Sequence, residues 1–531
     1  MHPLKIIFDL EYVLQGLANP FQGITYQPFF KHFHVDYGVS EAGTQDYFAR
    51  SYLAWSFKPI LGFLLDAWGK TRLALILLLG IATVGYALTP LVDRNQDLFF
   101  WYMFVLSVFL AATDVAVDRA TVVAGDEEAS ATGKSKSTTV GLNQAICWAA
   151  IYGTSVVAAI GGGLVAQYAD FNRFILLLAL VPLVVLVVAF TLPKDTAPTV
   201  SLRTSVRNFW DGLNTGPVLW IVVFYFVFHF QPAMGALWTN HLIDNLKFDQ
   251  EQVGYADGAS NMGLFVGVLV FAKWGVRWQD ALGLRQVFKI CIVLNVLVSL
   301  TTYLQVDPWF SAISRAIALA TGLEEATARL AWLSSYNLVQ QVFVGFTRMC
   351  TFSLVGAVIP SRAAGSLFAG FMSVANIAYS FSYSSGAWLY DHGLEYAPVR
   401  ELQAALFGIP GSAGQHLSIS MLILIGSLAY FLSFLATHRL PDRRQTAATG
   451  DLAEYLLGPK QHASLGATTL RRVNVAASAM FALAWGLQFY VANWDFITST
   501  LVSFFCTAFL RKVTLDALYK REVGARPQAT T

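Results

Sequence analysis

The chain has 531 residues, of which 56% are hydrophobic and only 13% charged, with a net charge of +2 and a mean hydropathy of +0.53. A soluble domain carries roughly a quarter charged residues, and a single core cannot hide so large an apolar excess, because surface grows too fast with size. Soluble enzymes, disordered proteins and nucleic-acid binders are thereby excluded. What remains is a chain whose apolar residues gather in blocks of about 20, the length that crosses a bilayer as a helix.

At the N-terminus, Asp9 and Glu11 stand where a signal peptide would have its apolar run, so the first span is expected to be the chain's own anchor, with both residues at the interface. Apolar blocks then fall at roughly 10–32, 47–66, 73–92, 99–123, 138–165 and 173–192 (spans 1–6), and at 217–242, 252–273, 286–305, 334–359, 364–389 and 415–436 (spans 7–12). Two more follow at 473–492 and 496–510. The blocks are continuous runs without the alternation of barrel strands, so the chain reads as an all-α polytopic membrane protein. With the N-terminus in the cytoplasm, 25 of the 35 Lys and Arg residues fall on the cytoplasmic side, 8 outside and 2 (Lys58 and Arg348) within spans. That bias predicts that both termini are cytoplasmic, in a plasma (inner) membrane protein.

The expected organisation is a six-helix half at 1–193, a cytoplasmic linker at 194–216 and a second six-helix half at 217–436. A polar cytoplasmic segment at 437–470, an extra two-helix hairpin at 471–512 and a tail at 513–531 follow. Residues 306–332 can form an amphipathic outer helix. Two six-helix halves joined by a linker resemble the major facilitator transporters, in which substrate binds between the halves near the midplane.

The turn between spans 2 and 3 carries Gly62, Asp66, Gly69, Lys70 and Arg72 in the spacing G-x-x-x-D-x-x-G-[RK]-x-[RK]. Asp66 ends a helix at the membrane surface, Gly69 permits a tight turn, and Lys70 and Arg72 hold the loop in the cytoplasm. This is similar to the gating loop of the major facilitator superfamily. The corresponding loop of the second half keeps only Arg277 and Arg285. Upstream, Trp55, Lys58, Pro59, Gly62 and Asp66 follow the W-x-x-K-P-x-x-G-x-x-x-D signature of the folate–biopterin transporter family, which the chain resembles. Asp114 and Asp118 fall in a D-V-x-x-D segment of span 4 that also resembles muropeptide and acetyl-CoA permeases. The resemblance implies a pterin or folate as substrate.

Ionisable residues inside spans need a partner or a task. Lys58 and Asp114 lie at similar depth, about 12 Å in from the cytoplasmic edge at helical rise, so they are expected to pair, with Asp118 one turn away on the same face. Either this is a fixed structural pair, or Asp114 or Asp118 exchanges a proton during transport with Lys58 setting its affinity. Arg348 in span 10 either holds a substrate carboxylate or phosphate, or pairs with Asp257 of span 8. His229 in span 7 is a hydrogen-bonded interior residue or a proton relay. Aromatics of spans 1 and 7, among them Tyr26, Phe29 and Tyr225, either stack on a flat substrate or face helices and lipid. Pro20, Pro28 and Pro232 interrupt those two spans, and broken helices in matching positions of two halves point to a binding region.

Gly161, Gly162 and Gly163 in span 5 are expected to let helices approach closely. Cys147, Cys291, Cys350 and Cys506 read as buried thiols without metal or disulfide spacing. No metal spacing appears among the histidines, and Gly133-Lys134-Ser135 lacks the first glycine of a phosphate loop, so no cofactor is expected. The expected function is secondary active transport of a small organic anion across the bilayer, coupled to protons, with no enzymatic step and no nucleic acid. The alternatives are a muropeptide or acyl-CoA type permease, and a transporter-like receptor or assembly scaffold that moves nothing.

Overall fold

Proline and glycine decide where the long apolar segments break. In the computed structural model, which describes residues 3–132, 136–192, 201–213, 218–358, 364–440, 467–488 and scattered positions from 499 to 521, every regular element is a helix. Span 1 is helical over Pro3–Ala18, stops before Pro20, turns through Gly23–Thr25 and resumes at Tyr26–Lys31. Proline has no N–H to give the helix and pushes the residue before it out of helical geometry. Span 7 breaks in the matching place, between Val218–His229 and Gly235–Asn240, around Pro232. Span 2 runs from Glu41–Ala54 through a tighter turn at Trp55–Phe57 into Lys58–Trp68.

The remaining spans are longer runs: Thr71–Val92 (span 3), Gln96–Thr132 (4), Lys136–Tyr168 (5), Phe171–Leu178 continued by Leu180–Ala189 (6), Gln250–Val270 (8), Leu284–Thr301 (9), Glu325–Val358 (10), Ala364–His392 (11) and Ile419–Ala436 (12). Eight helices among the described residues are long and apolar enough to cross a membrane. Spans 1, 2, 7 and 11 are not among them, the first three because they are broken and span 11 because serines interrupt its apolar run. Spans 1, 2 and 11 contribute tyrosines to the cleft described below.

The two halves repeat one another in detail. At the outer end of span 1 the Tyr37 amide donates to the His32 carbonyl (2.9 Å) and the Val39 amide to that of Phe33 (3.0 Å). At the end of span 7, Leu246 donates to His241 (3.0 Å) and Phe248 to Leu242 (3.0 Å). The next helices are capped alike, by Ser40 and by Asp249, each accepting from an amide three residues on.

The halves meet along two seams, span 2 against span 11 and span 5 against span 8. Glycine permits the second. A Cβ on Gly163 would lie 2.6 Å from the Gln250 carbonyl oxygen and 2.8 Å from the Gly254 Cα, and one on Gly162 would lie 2.8 Å from the Ile24 carbonyl oxygen. Gly163→Val must therefore prise spans 5 and 8 apart, at about 1–3 kcal/mol for overpacking. We expect it to lower the thermal unfolding midpoint of detergent-purified protein. Gly80→Ala, in span 3 with nothing within 4 Å, is the control and should leave that midpoint unchanged or raise it.

Several expectations change. Span 4 continues as a helix beyond the expected 123 as far as Thr132, and the outer helix occupies only Trp309–Thr321 of 306–332. Short helices at Leu202–Leu213, Val276–Leu282 and Ala397–Phe407, none of them foreseen, pack at the rims. Cys147, Cys291 and Cys350 are buried, but Cys506 is exposed. Positions 133–135, most of the 437–470 segment and most of the last expected span lie outside the described residues.

Candidate functional site

Spans 1, 2 and 4 enclose a polar network. Lys58 Nζ donates to Asp114 Oδ2, and Gln15 Nε2 donates to Asp114 Oδ1 (2.5 Å). The Tyr12 hydroxyl donates to Asp118 (2.5 Å), and the Thr113 hydroxyl to Glu11 Oε1 (2.5 Å). The helical period explains the assembly, since Glu11 and Gln15 share one face of span 1 while Asp114 and Asp118 share one face of span 4. Glu11 is 0% exposed, so it is not the interfacial residue its position near the N-terminus suggested. It is drawn inward because Thr113 offers a hydroxyl at the same depth. Lys58 also sits over the Trp55 ring, 4.9 Å from its centroid.

A second group lies between the halves. Arg348 donates from Nη1 to the Tyr152 hydroxyl of span 5 (2.7 Å) and from Nη2 to the Tyr379 hydroxyl of span 11 (3.2 Å). No carboxylate reaches it among the described residues. Asp257 instead accepts from Gln27 Nε2 of span 1 (2.9 Å), so the sequence-level pairing of Arg348 with Asp257 does not form. Span 1 reaches Asp257 first because its break carries Gln27 across to span 8.

Arg348, Asp257, Tyr26, Tyr52, Tyr379 and Tyr383 lie deep between the helices yet each keeps part of its surface open, as side chains that line an internal cleft do. The Tyr52 ring lies 5.7 Å from Tyr379 and 5.3 Å from Tyr383, and the Tyr26 hydroxyl is 3.2 Å from Thr239 of span 7. Tyr225 is buried beside the cleft, and His229 Nδ1 donates to the Tyr225 carbonyl (2.7 Å). Phe29 is not at the cleft. It is fully buried among Phe21, Phe99 and Phe171, because the restart of the helix after Pro20 turns it toward spans 4 and 6.

At the turn between spans 2 and 3, Gly69 ends the span 2 helix in the left-handed conformation (φ 67), which a side chain would disfavour. Gly62 is buried and Lys70 exposed. Arg72 Nη2 donates to the Phe190 carbonyl at the end of span 6 (2.6 Å), and Arg285 Nε donates to the Leu440 carbonyl after span 12 (2.8 Å). Both halves thus fasten their last helix with an arginine that opens the third. The side chain of Asp66 lies outside the described side chains.

The outer ends of the halves are joined. Gln45 donates to the carbonyls of Ala233 (3.0 Å) and Tyr383 (3.3 Å) and accepts from the Leu237 amide (3.3 Å). Ser384 donates to Asp46 (3.0 Å), Tyr168 to Glu251 (2.7 Å), and Tyr390 to Glu41. Within the first half, His32 bridges Asp36 (2.8 Å) and Asp93 (2.9 Å). Burial pushes the Asp93 carboxyl up, but hydrogen bonds from His32 and Tyr37 outweigh it and hold the group below the usual carboxylate range. Gln45→Ala removes three bonds across the seam, each about 1 kcal/mol net. It should shift the protein toward an outer-open state, read as several-fold faster labelling of a cysteine introduced at Thr239.

Helices in two similar halves, a polar cleft between them and hydrogen-bonded outer ends define a multi-pass membrane transporter of the major facilitator fold, not an enzyme. The chain belongs to the BT1 family, whose sequence profile matches residues 15–453, and this is the folate–biopterin family that the span 2 signature resembles. Among solved structures, the chain is similar to the nucleoside transporter NupG (TM-score 0.53, 11% identity, covering 83% of this chain and 99% of that one). It is also similar to a D-xylose–proton symporter (0.51, 13%, 83% and 98%) and to a bacterial homologue of the iron transporter ferroportin (0.50, 15%, 82% and 98%). At such identities the likeness is one of fold. None of the curated proteins matches the sequence.

Tyr12, Gln15, Thr113, Tyr152 and Tyr379 are the network members that sequence reasoning missed. The spacing of Glu11 and Gln15, two polar residues one turn apart in an apolar span, was the signal available for the first network.

Proposed function

We propose that the protein is a secondary active carrier of a small organic anion, pterin- or folate-like, working by alternating access between its halves (1–193 and 217–436) with protons as the coupling ion. Arg348 carries this reading. An intramembrane guanidinium costs about 2.5–3.5 kcal/mol on insertion scales, and its partners here are two neutral hydroxyls. A carboxylate held by the guanidinium fork is the ligand that offsets that cost. Asp257 complements it. A carboxylate accepts paired N–H donors, which is what the aminopyrimidinone edge of a pterin presents, and the tyrosines between the two charges offer flat faces for the ring. The excess of basic residues on one side of the spans supports a plasma (inner) membrane orientation with both termini cytoplasmic.

Binding of folate and of biopterin to the purified full-length protein, followed by calorimetry, tests this. Folate carries carboxylates and biopterin carries none, so Arg348→Ala should weaken folate far more than biopterin, while Asp257→Asn weakens both. Equal loss of both with Arg348→Ala would remove the guanidinium from the anion-binding role. Binding of muropeptides or acyl-CoA in place of either pterin would reassign the substrate. A stable co-purifying protein with no small-molecule binding would favour the scaffold.

A further inference from the structure

We infer that Glu11 is the group that carries the proton, held as the neutral acid in this outer-closed state while Asp114 stays ionised against Lys58. The inference rests on the proton-coupled reading above and assigns its site. Among the described side chains, the network of spans 1, 2 and 4 contains three carboxyl groups and one ammonium. Asp114 receives the ammonium of Lys58 and the amide of Gln15, two donors that favour its charged form. Asp118 receives the Tyr12 hydroxyl. Glu11 receives the neutral Thr113 hydroxyl on Oε1 and has the neutral Gln15 amide beside it, and its Oε2 is buried without a hydrogen-bond partner among the described residues.

Among the described side chains, those around Glu11 offer it no cation of its own. Span 4 turns Asp114 and Asp118 toward it, both negative when ionised, and the Lys58 of span 2 is engaged by Asp114. Its own span contributes Tyr12 and Gln15. Span 5 brings Cys147 near Tyr12, and Leu180–Ala189 of span 6 has no titratable residue. An ionised carboxylate in that setting would have lost its hydration with no ion to replace it. The neutral acid needs neither. Span 1 breaks between Ala18 and Gly23, so the Pro3–Ala18 segment is free to turn against span 4 as the cytoplasmic side opens. That turn brings Glu11 to water, where its proton leaves to the cytoplasm; reprotonation occurs from the outer side when the cleft faces out.

The first test needs no substrate. Infrared spectra of the purified full-length protein at neutral pH should contain the carbonyl band of a buried protonated carboxyl, sensitive to deuteration. The band should vanish in Glu11→Gln and persist in Asp114→Asn. A band that survives Glu11→Gln, or that disappears with Asp114→Asn instead, overturns the inference. The second test is uptake of labelled folate into proteoliposomes with an imposed inward proton gradient. A wild-type protein indifferent to the gradient would end the proton-coupled reading itself. A responsive wild type with a Glu11→Gln variant equally responsive would overturn Glu11 alone; the expected result is that Glu11→Gln no longer responds. If Glu11→Gln does not fold, Glu11→Asp keeps a titratable acid on a shorter stem. It should move the pH midpoint of accumulation, and an unmoved midpoint counts against the inference.

Discussion

Arg348→Ala is expected to abolish concentrative transport of a carboxylate substrate while leaving the protein as stable as before, or more so. Removing one partner of a buried, hydrogen-bonded charge pair costs about 2–5 kcal/mol, which is about 30-fold in affinity at the low end and beyond about 1000-fold at the high end. The stability forecast has the opposite sign for a physical reason. Among the described residues Arg348 meets only the hydroxyls of Tyr152 and Tyr379, so the unliganded protein bears an uncompensated charge deep in its bundle. Deleting it relieves that cost, as substitutions at strained binding sites often do. Arg348→Lys keeps the charge but not the fork that spans two tyrosines, and should fall between wild type and alanine. Binding affinity and unfolding midpoint, measured on the same preparations, check both forecasts. A large loss of stability in Arg348→Ala would instead make this arginine a structural tie between spans 5, 10 and 11.

Lys58→Met should be the most destabilising single change in the first half. It leaves Asp114, 2% exposed, without its cation. Breaking a buried pair by removing one partner costs about 3–5 kcal/mol, whereas replacing both partners by apolar residues of similar volume is often neutral or stabilising by about 1–4 kcal/mol. The double variant Lys58→Met with Asp114→Leu should therefore regain the unfolding midpoint that the single variant loses. It should not regain proton-driven uptake, because the Lys58–Asp114 ion pair beside Glu11 is gone. A double variant as unstable as the single one would mean that Asp114 is needed for its bond to Gln15 of span 1 and not only for its pair with Lys58 of span 2. The pair of readouts separates a structural ion pair from one that also serves transport.

The parts of this molecule that the sequence makes legible are those governed by local rules. Block length places the spans, Pro20 and Pro232 place the breaks in spans 1 and 7, and Gly69 marks the turn it makes with φ 67. The approach of Lys58 to Asp114 follows from depth alone, because both lie in helices of known rise. What sequence does not reveal is rotation about a helix axis. Glu11 reads as interfacial from its distance to the chain end, yet its azimuth turns it to Thr113. Phe29 reads as a cleft aromatic, yet the turn after Pro20 rotates it into the packing of spans 4 and 6. Tyr152 and Tyr379 come from spans far apart in sequence, and only the packing of span 5 against span 10 and span 11 against span 2 brings their hydroxyls to one guanidinium. The cap that Arg285 places on Leu440 shows the same point, since the second half keeps the contact without the sequence pattern of the first.

Uptake of labelled folate into proteoliposomes of defined orientation, with and without an inward proton gradient, is the most direct measurement. A proton-coupled anion carrier built around Arg348 accumulates folate above equilibrium only while the gradient lasts, releases it when a protonophore is added, and does neither as Arg348→Ala. Equal filling with and without the gradient would contradict proton coupling. No entry of folate or biopterin from protein shown to be folded would contradict the pterin substrate.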